Sequence, residues 1–186
     1  MIFKPKSVVL FCDDKGSTNM QNAKYRVLCV CLGNICRSPT AEVILQQTAD
    51  RAGLNIWVDS AGTSNYHPNK APDPRSQKYA MQHGYDLSHL RARQIQLEDF
   101  EKFDLILAMD HDNLQDLKTL QTRFLSQKKQ SRCASLALMS EHDSVYPKQA
   151  VPDPYYGDVK DFERVISQCE SSSHTWVKYW QDNKII

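Results

Sequence analysis

The segment Arg26-Val-Leu-Cys-Val-Cys31 constrains this chain more than any other. It is a short apolar run rich in β-branched residues, the pattern of a strand buried on both faces. Gly33-Asn34 breaks the run, and Ser38-Pro39 then opens a helix. Serine can cap, and proline at the first helical position forfeits no hydrogen bond. Glu42 falls in the next turn, where a carboxylate suits the positive end of the helix dipole. The helix extends to about Ala52, and Gly53 ends it.

The rest of the chain repeats this alternation. Ile56-Trp-Val-Asp-Ser60 reads as a second strand, 62–74 as a loop rich in Gly, Pro, Asn and Ser, and Arg75 to His83 as a helix closed by Gly84. Phe103-Asp-Leu-Ile-Leu-Ala108 is a third strand, Asp110 a cap for a helix over 111–124, and Ala134–Met139 a fourth, weaker strand. Beyond the Pro152–Pro154 loop, Phe162, Val165, Ile166, Cys169, Trp176 and Tyr179 recur at helical spacing, predicting a helix from Val159 to about Trp180. Strands alternating with helices in this way argue for an α/β fold, a parallel sheet with helices on both faces. Ligands in such sheets bind beyond the carboxyl ends of the strands, where the Cys31 loop sits.

A chain of 186 residues fits one domain. Residues 1–24 read as a dispensable N-terminal extension and 25–186 as the domain. The extension holds a short strand-like piece, Ser7–Cys12, then a polar stretch, and Met20 can serve as a start. Ser7–Cys12 is too short for a signal-peptide core and is followed by Asp13-Asp14, so the chain reads as cytoplasmic. A net charge of +1 gives no pull toward nucleic acid or an anionic membrane, and no apolar run approaches the ~20 residues of a membrane span. The basic stretch Lys128-Lys-Gln-Ser-Arg132 reads as a solvated loop. Six cysteines (12, 29, 31, 36, 133 and 169) are too sparse for a disulfide scaffold, yet three fall within eight residues.

The chemistry lies in Cys31-x5-Arg37-Ser38. A tight loop between strand and helix points successive backbone N–H groups inward, an anion-binding nest at the positive end of a helix. The loop comprises Leu32, Gly33, Asn34, Ile35 and Cys36, and Gly33 permits the backbone angles it needs. Arg37 adds a forked hold on two phosphate oxygens. The same field favours a thiolate, placed beneath phosphorus for in-line attack, and Ser38 can donate a hydrogen bond to it. Val151-Pro-Asp-Pro-Tyr-Tyr156 places a carboxylate, Asp153, between two stiffening prolines. Cys29 and Cys31 share one strand face with no second ligand pair nearby, so no metal is expected.

Val30-Cys31-Leu-Gly-Asn-Ile-Cys36-Arg37-Ser38-Pro39-Thr-Ala-Glu42 resembles the signature loop of the low-molecular-weight protein tyrosine phosphatases. The likeness continues through Val58–Thr63, Ser88-His89, Phe103–Asp110 and Asp153–Gly157, and Asp86–Gln94 looks closer in wording to bacterial members than to animal ones. The resemblance implies a three-layer, Rossmann-like fold with a four-stranded parallel sheet. It implies Cys31 as nucleophile, Arg37 as phosphate clamp, and Asn34 and Ser38 as organisers of loop and thiolate. Asp153 becomes the general acid and then the base, without cofactor. Cys36 matches a second loop cysteine able to form a disulfide with the nucleophile, and His89 a histidine that supports the loop by hydrogen bonds. Tyr155 and Tyr156 wall a slot for a phosphotyrosine ring, with Trp57, Tyr66 and His67 as candidates for the opposite wall. The implied partner is a phosphotyrosine protein, met by a monomer or weak dimer. Two other functions share these features: thioredoxin-coupled arsenate reduction, and phosphate recognition without turnover.

Overall fold

The computed structural model describes residues 22–128 and 132–186. The Ser7–Cys12 piece, the Met20 start and the middle of the 128–132 basic stretch lie outside the described residues. Four strands, β1 (Tyr25–Cys31), β2 (Ile56–Gly62), β3 (Leu105–Ala108) and β4 (Ser135–Leu138), form one parallel sheet in the order β2-β1-β3-β4. The helices are α1 (Arg37–Arg51), α2 (Pro74–Gln82), α3 (Asp99–Lys102), α4 (His111–Gln127) and α5 (Val159–Asp182).

The side-chain alternation of β1 divides the core. Val27, Cys29 and Cys31 face one layer, packed with Ile44 and Leu45 of α1 and Ile166, Cys169 and Trp180 of α5. Leu28 and Val30 face the other, with Phe100, Phe103, and Leu117 and Phe124 of α4. A strand flanked on both sides by strands and on both faces by helices must be apolar throughout, and residues 27–30 are fully buried. Each fully buried large apolar side chain stabilises the fold by ~1.5–3 kcal/mol, so this central strand is a firm base for the loop that follows it.

The structure differs from the expected elements in a few places. Phe103 and Asp104 do not enter β3: Phe103 closes the unforeseen four-residue helix α3, and Asp104 turns its carboxylate to the Arg26 N–H at 2.8 Å. α2 starts at Pro74, with Asp73 accepting from the Arg75 N–H at 2.8 Å. Asp110 caps α4 as expected, its Oδ1 accepting from the Asn113 N–H at 2.7 Å. α5 opens with a reciprocal box of Asp158 and Asp161. No helix among the described residues is long and apolar enough to cross a membrane.

Candidate active site

β1 ends at Cys31 and α1 begins at Arg37, so residues 32–36 must turn the chain around the end of the sheet. The left-handed residue that makes this possible is Asn34 (φ 55°), not Gly33 as expected. Asparagine tolerates that region because its short polar side chain bonds locally. Gly33 serves close approach instead: a Cβ there would lie 3.3 Å from the His67 ring. Gly62 does the same from β2, where a Cβ would come within 2.7 Å of the Leu32 carbonyl. The Asn34 N–H donates to Cys31 Sγ at 3.2 Å. The N–H groups of Leu32, Gly33, Ile35, Cys36 and Arg37 meet no acceptor among the described residues. Successive unpaired donors at the start of a helix are a ready site for an oxyanion.

Ser38 does not cap α1. The helix opens two residues earlier, with Cys36 at the cap position and no side-chain cap bond. The Ser38 hydroxyl turns inward instead, 3.1 Å from Cys31 Sγ and 3.2 Å from the Ala61 carbonyl. Asn34 Nδ2 donates to Ser38 Oγ and to Ser60 Oγ, both at 2.9 Å, and its Oδ1 accepts from the Arg93 N–H at 2.9 Å, which fixes the amide's orientation. Ser60 in turn donates to Glu42 Oε2 at 2.5 Å. The Ala61 carbonyl can only accept, so the single Ser38 proton is divided between that carbonyl and the Cys31 sulfur.

Glu42 therefore does not sit at the helix dipole as its position suggested; it anchors this chain of hydrogen bonds from beneath. Burial pushes its carboxyl up to about 8, a rise that the Ser60 hydrogen bond opposes, Asp59 reinforces and Arg93 opposes. The folded state thus holds this proton more tightly than the unfolded chain, where a Glu titrates near ~4.3. The associated stability is complete below that pH and is lost as pH rises toward and through about 8. Glu42→Gln should shrink the stability difference between pH 5 and 8.5 by on the order of 2–4 kcal/mol. Denaturant melts at the two pH values measure it, and an unchanged pH dependence would remove Glu42 as its source.

Arg37 is buried below the loop and held by two carboxylates. Its Nη1 donates to Asp110 Oδ2 at 2.5 Å and to the Val151 carbonyl at 3.4 Å, and its Nη2 to Asp153 Oδ2 at 2.8 Å. A guanidinium has five N–H donors, so two remain for a phosphate. Burial works against the Arg37 charge, but Cys31, Asp153 and Asp110 outweigh it and raise its pKa above the ordinary value. Asp110, read from the sequence only as a helix cap, thus has a second carboxylate oxygen on the phosphate clamp. Its place at the end of β3, directly beside β1, was the signal available.

Cys31, Leu32, Gly33, Ile35, Cys36 and Arg37 form the floor of a cleft of about 340 Å³, with Asp153, Tyr155, Tyr156, Tyr66 and His67 around it. The Tyr155 and Tyr156 rings meet edge to face at 4.9 Å, and Tyr156 is 96% exposed. Burial pushes the Cys36 thiol up to about 12, against the effect of a Ser76 hydrogen bond and with reinforcement from Asp73, Cys31 and Asp153.

Two expected residues lie elsewhere. Trp57 is not a cleft wall: it sits near the start of β2, far from the carboxyl end, and stacks on Phe103 at 5.5 Å. His89 makes no hydrogen bond to the loop among the described residues; it lines a separate depression with Glu42, Gln46 and Trp57. The support assigned to it comes from Ser60, Glu42 and Arg93, whose guanidinium is itself clamped by Asp59 and Asp99 at 2.8 and 2.9 Å. These residues were missed because none is adjacent in sequence to the loop it holds.

A family model described as low molecular weight phosphotyrosine protein phosphatase matches residues 26–184. The chain belongs to that family. The human low molecular weight phosphotyrosine protein phosphatase is 44% identical over 151 residues, 80% of this chain and 91% of the relative. The crystal structure of a protein tyrosine phosphatase from Entamoeba histolytica superposes with a TM-score of 0.76 at 34% identity, covering 86% of this chain and 99% of that one. A Drosophila arginine phosphatase superposes with a TM-score of 0.75 at 30% identity, covering 83% and 97%. As a low molecular weight phosphatase, the chain uses cysteine-based chemistry on phosphate monoesters. Among the described residues, no group of three His, Cys, Asp or Glu is placed to hold a metal ion.

Proposed function

We propose that this phosphatase hydrolyses phosphotyrosine and aryl phosphate monoesters in proteins through a phosphocysteine on Cys31. The observation that carries this reading is the cleft itself, a ring of backbone donors around one sulfur with aromatic side chains above it. The donors and Arg37 hold the three equatorial oxygens, on which charge spreads in the transition state. Cys31 attacks phosphorus while Asp153, at the cleft rim, protonates the departing phenolic oxygen. Asp153 then takes a proton from water as that water attacks the phosphocysteine, and the Ser38 hydroxyl stabilises the departing sulfur. Ile35, Tyr66, Tyr155 and Tyr156 supply apolar contact for a flat ring. Cys36, in the same cleft, is the partner for a reversible disulfide with Cys31 under oxidation.

Arsenate reduction requires further thiols to relay a disulfide outward. Cys169 is fully buried in α5, its thiol pushed up to about 12 by burial, Glu170 and Cys31 against Arg37; Cys133 lies against Gln121 beyond β3. Neither provides that relay. The test is turnover of a panel of matched peptides carrying phosphotyrosine, phosphoserine or phosphoarginine, with arsenate plus thioredoxin as a further arm. Phosphotyrosine should exceed the other peptides by at least about 10²-fold in kcat/KM. Equal or greater phosphoarginine turnover would overturn the tyrosine assignment, and thioredoxin-dependent arsenate turnover would overturn hydrolysis as the main activity.

A further inference from the structure

The acid-bearing loop, residues 151–157, contains no helix or strand and rests on few bonds of its own. Asp153 has 48% of its side chain exposed, yet general-acid chemistry needs its carboxyl held at a defined point above Cys31. One arginine outside the cleft floor holds this loop. Arg75, in the first turn of α2, donates through Nη2 to the Tyr155 carbonyl at 2.9 Å. The Tyr155 N–H in turn donates to Asp153 Oδ1 at 3.1 Å. The other acid oxygen, Oδ2, is the one held by Arg37. Arg75 therefore acts on Asp153 through one residue.

Arg75 is itself held by several contacts, with 44% of its side chain exposed. Its Nε and Nη2 make a forked pair with Asp73 at 3.0 and 2.9 Å. Its guanidinium lies 4.9 Å from the Phe162 ring centroid on α5 and 5.7 Å from that of Tyr155. Asp73 donates its N–H to the Ile35 carbonyl at 2.8 Å, which belongs to the phosphate loop. A continuous path thus runs from the phosphate loop through Asp73 and Arg75 to the residue that bonds the acid.

We infer that Arg75 is a positioning residue for the general acid: it registers the Asp153 loop and the Tyr155 ring against the phosphate-binding loop. A lysine cannot replace it, because one ammonium cannot fork onto Asp73 and also reach the Tyr155 carbonyl. The role rests on the assignment of Asp153 as acid.

The test is a leaving-group series of aryl phosphates on Arg75→Met, Asp153→Asn and the double variant. Arg75→Met should lower kcat/KM about tenfold for phenyl phosphate, a fraction of the ~10²–10⁴ an acid supplies, and under about twofold for dinitrophenyl phosphate. In the Asp153→Asn background it should cost nothing further on phenyl phosphate. Inhibition by inorganic phosphate should stay within about twofold, since the phosphate loop keeps its own bonds. Equal losses across the series, or full additivity in the double variant, would overturn the proposal. If Arg75→Met does not fold, Arg75→Lys carries the same test, with the same leaving-group dependence expected and a flat loss overturning it. Should Asp153→Asn itself give a flat series, it is the acid assignment that fails rather than the role of Arg75 alone.

Discussion

Cys31→Ser is expected to abolish phosphatase turnover, lowering kcat by on the order of 10⁴–10⁶, while oxyanion binding persists. The two halves of this result have separate causes. Attack on phosphorus requires a strong nucleophile, and a serine hydroxyl here has no neighbouring base to activate it: its neighbours are the Ser38 hydroxyl and the Asn34 N–H. Binding depends on the N–H groups of Leu32, Gly33, Ile35, Cys36 and Arg37 and on the Arg37 guanidinium, none of which is bonded to the Cys31 side chain. Steady-state hydrolysis of an aryl phosphate, with calorimetric titration of vanadate or inorganic phosphate, reads the two independently. Turnover above background in the Ser variant would refute Cys31 as nucleophile. Loss of binding along with turnover would mean that the sulfur also organises the loop.

Asp153→Asn should give the second largest loss, and that loss should depend on the leaving group. An amide keeps the shape of the carboxyl and can still meet the Tyr155 N–H, but it cannot deliver a proton. Poor leaving groups should lose about 10²–10³ in kcat/KM, the range of a positioned acid. Groups that depart readily as anions should lose about tenfold or less. The substitution also removes one of the two carboxylates that hold Arg37, leaving Asp110 at 2.5 Å to orient the guanidinium. Asp110 already forms the shorter bond and is itself fixed by the Asn113 N–H, so the clamp should survive. The loss then reports proton transfer rather than phosphate binding. Equal losses along the leaving-group series would reject Asp153 as general acid.

Much of the fold was legible because it rests on local patterns. β1 has no polar residue between Val27 and Cys31, and only a strand covered on both faces has that composition in so short a run. α5 repeats its apolar positions over 24 residues, enough to separate helix from strand. The misses follow from the same rule. α3 is four residues long, too short for any periodicity, and β3 begins later than its apolar composition suggested because Phe103 closes that helix. Ser38 carries two local meanings, helix cap and thiol partner. Its hydroxyl bonds the sulfur and the Ala61 carbonyl, and the helix opens without a side-chain cap.

For the site, sequence by itself determined the groups that must be neighbours along the chain: Cys31, the donors of residues 32–37, and Arg37 follow from one strand, one turn and one helix start. It also placed a carboxylate and two tyrosines in one stiff loop. What only the tertiary structure decided is everything that arrives from another element or from the far side of the helix. Asp110 comes from β3, Ser60 from β2, Glu42 from the buried side of α1, and Arg75 from α2 onto the acid loop. Tertiary structure also removed Trp57 and His89, whose sequence context was as suggestive as that of Tyr66. The physical reason is that a parallel sheet gathers its strand ends at one edge whatever their separation in sequence. Which side chains meet there depends on strand order and register, and these are set by the packing of the whole core.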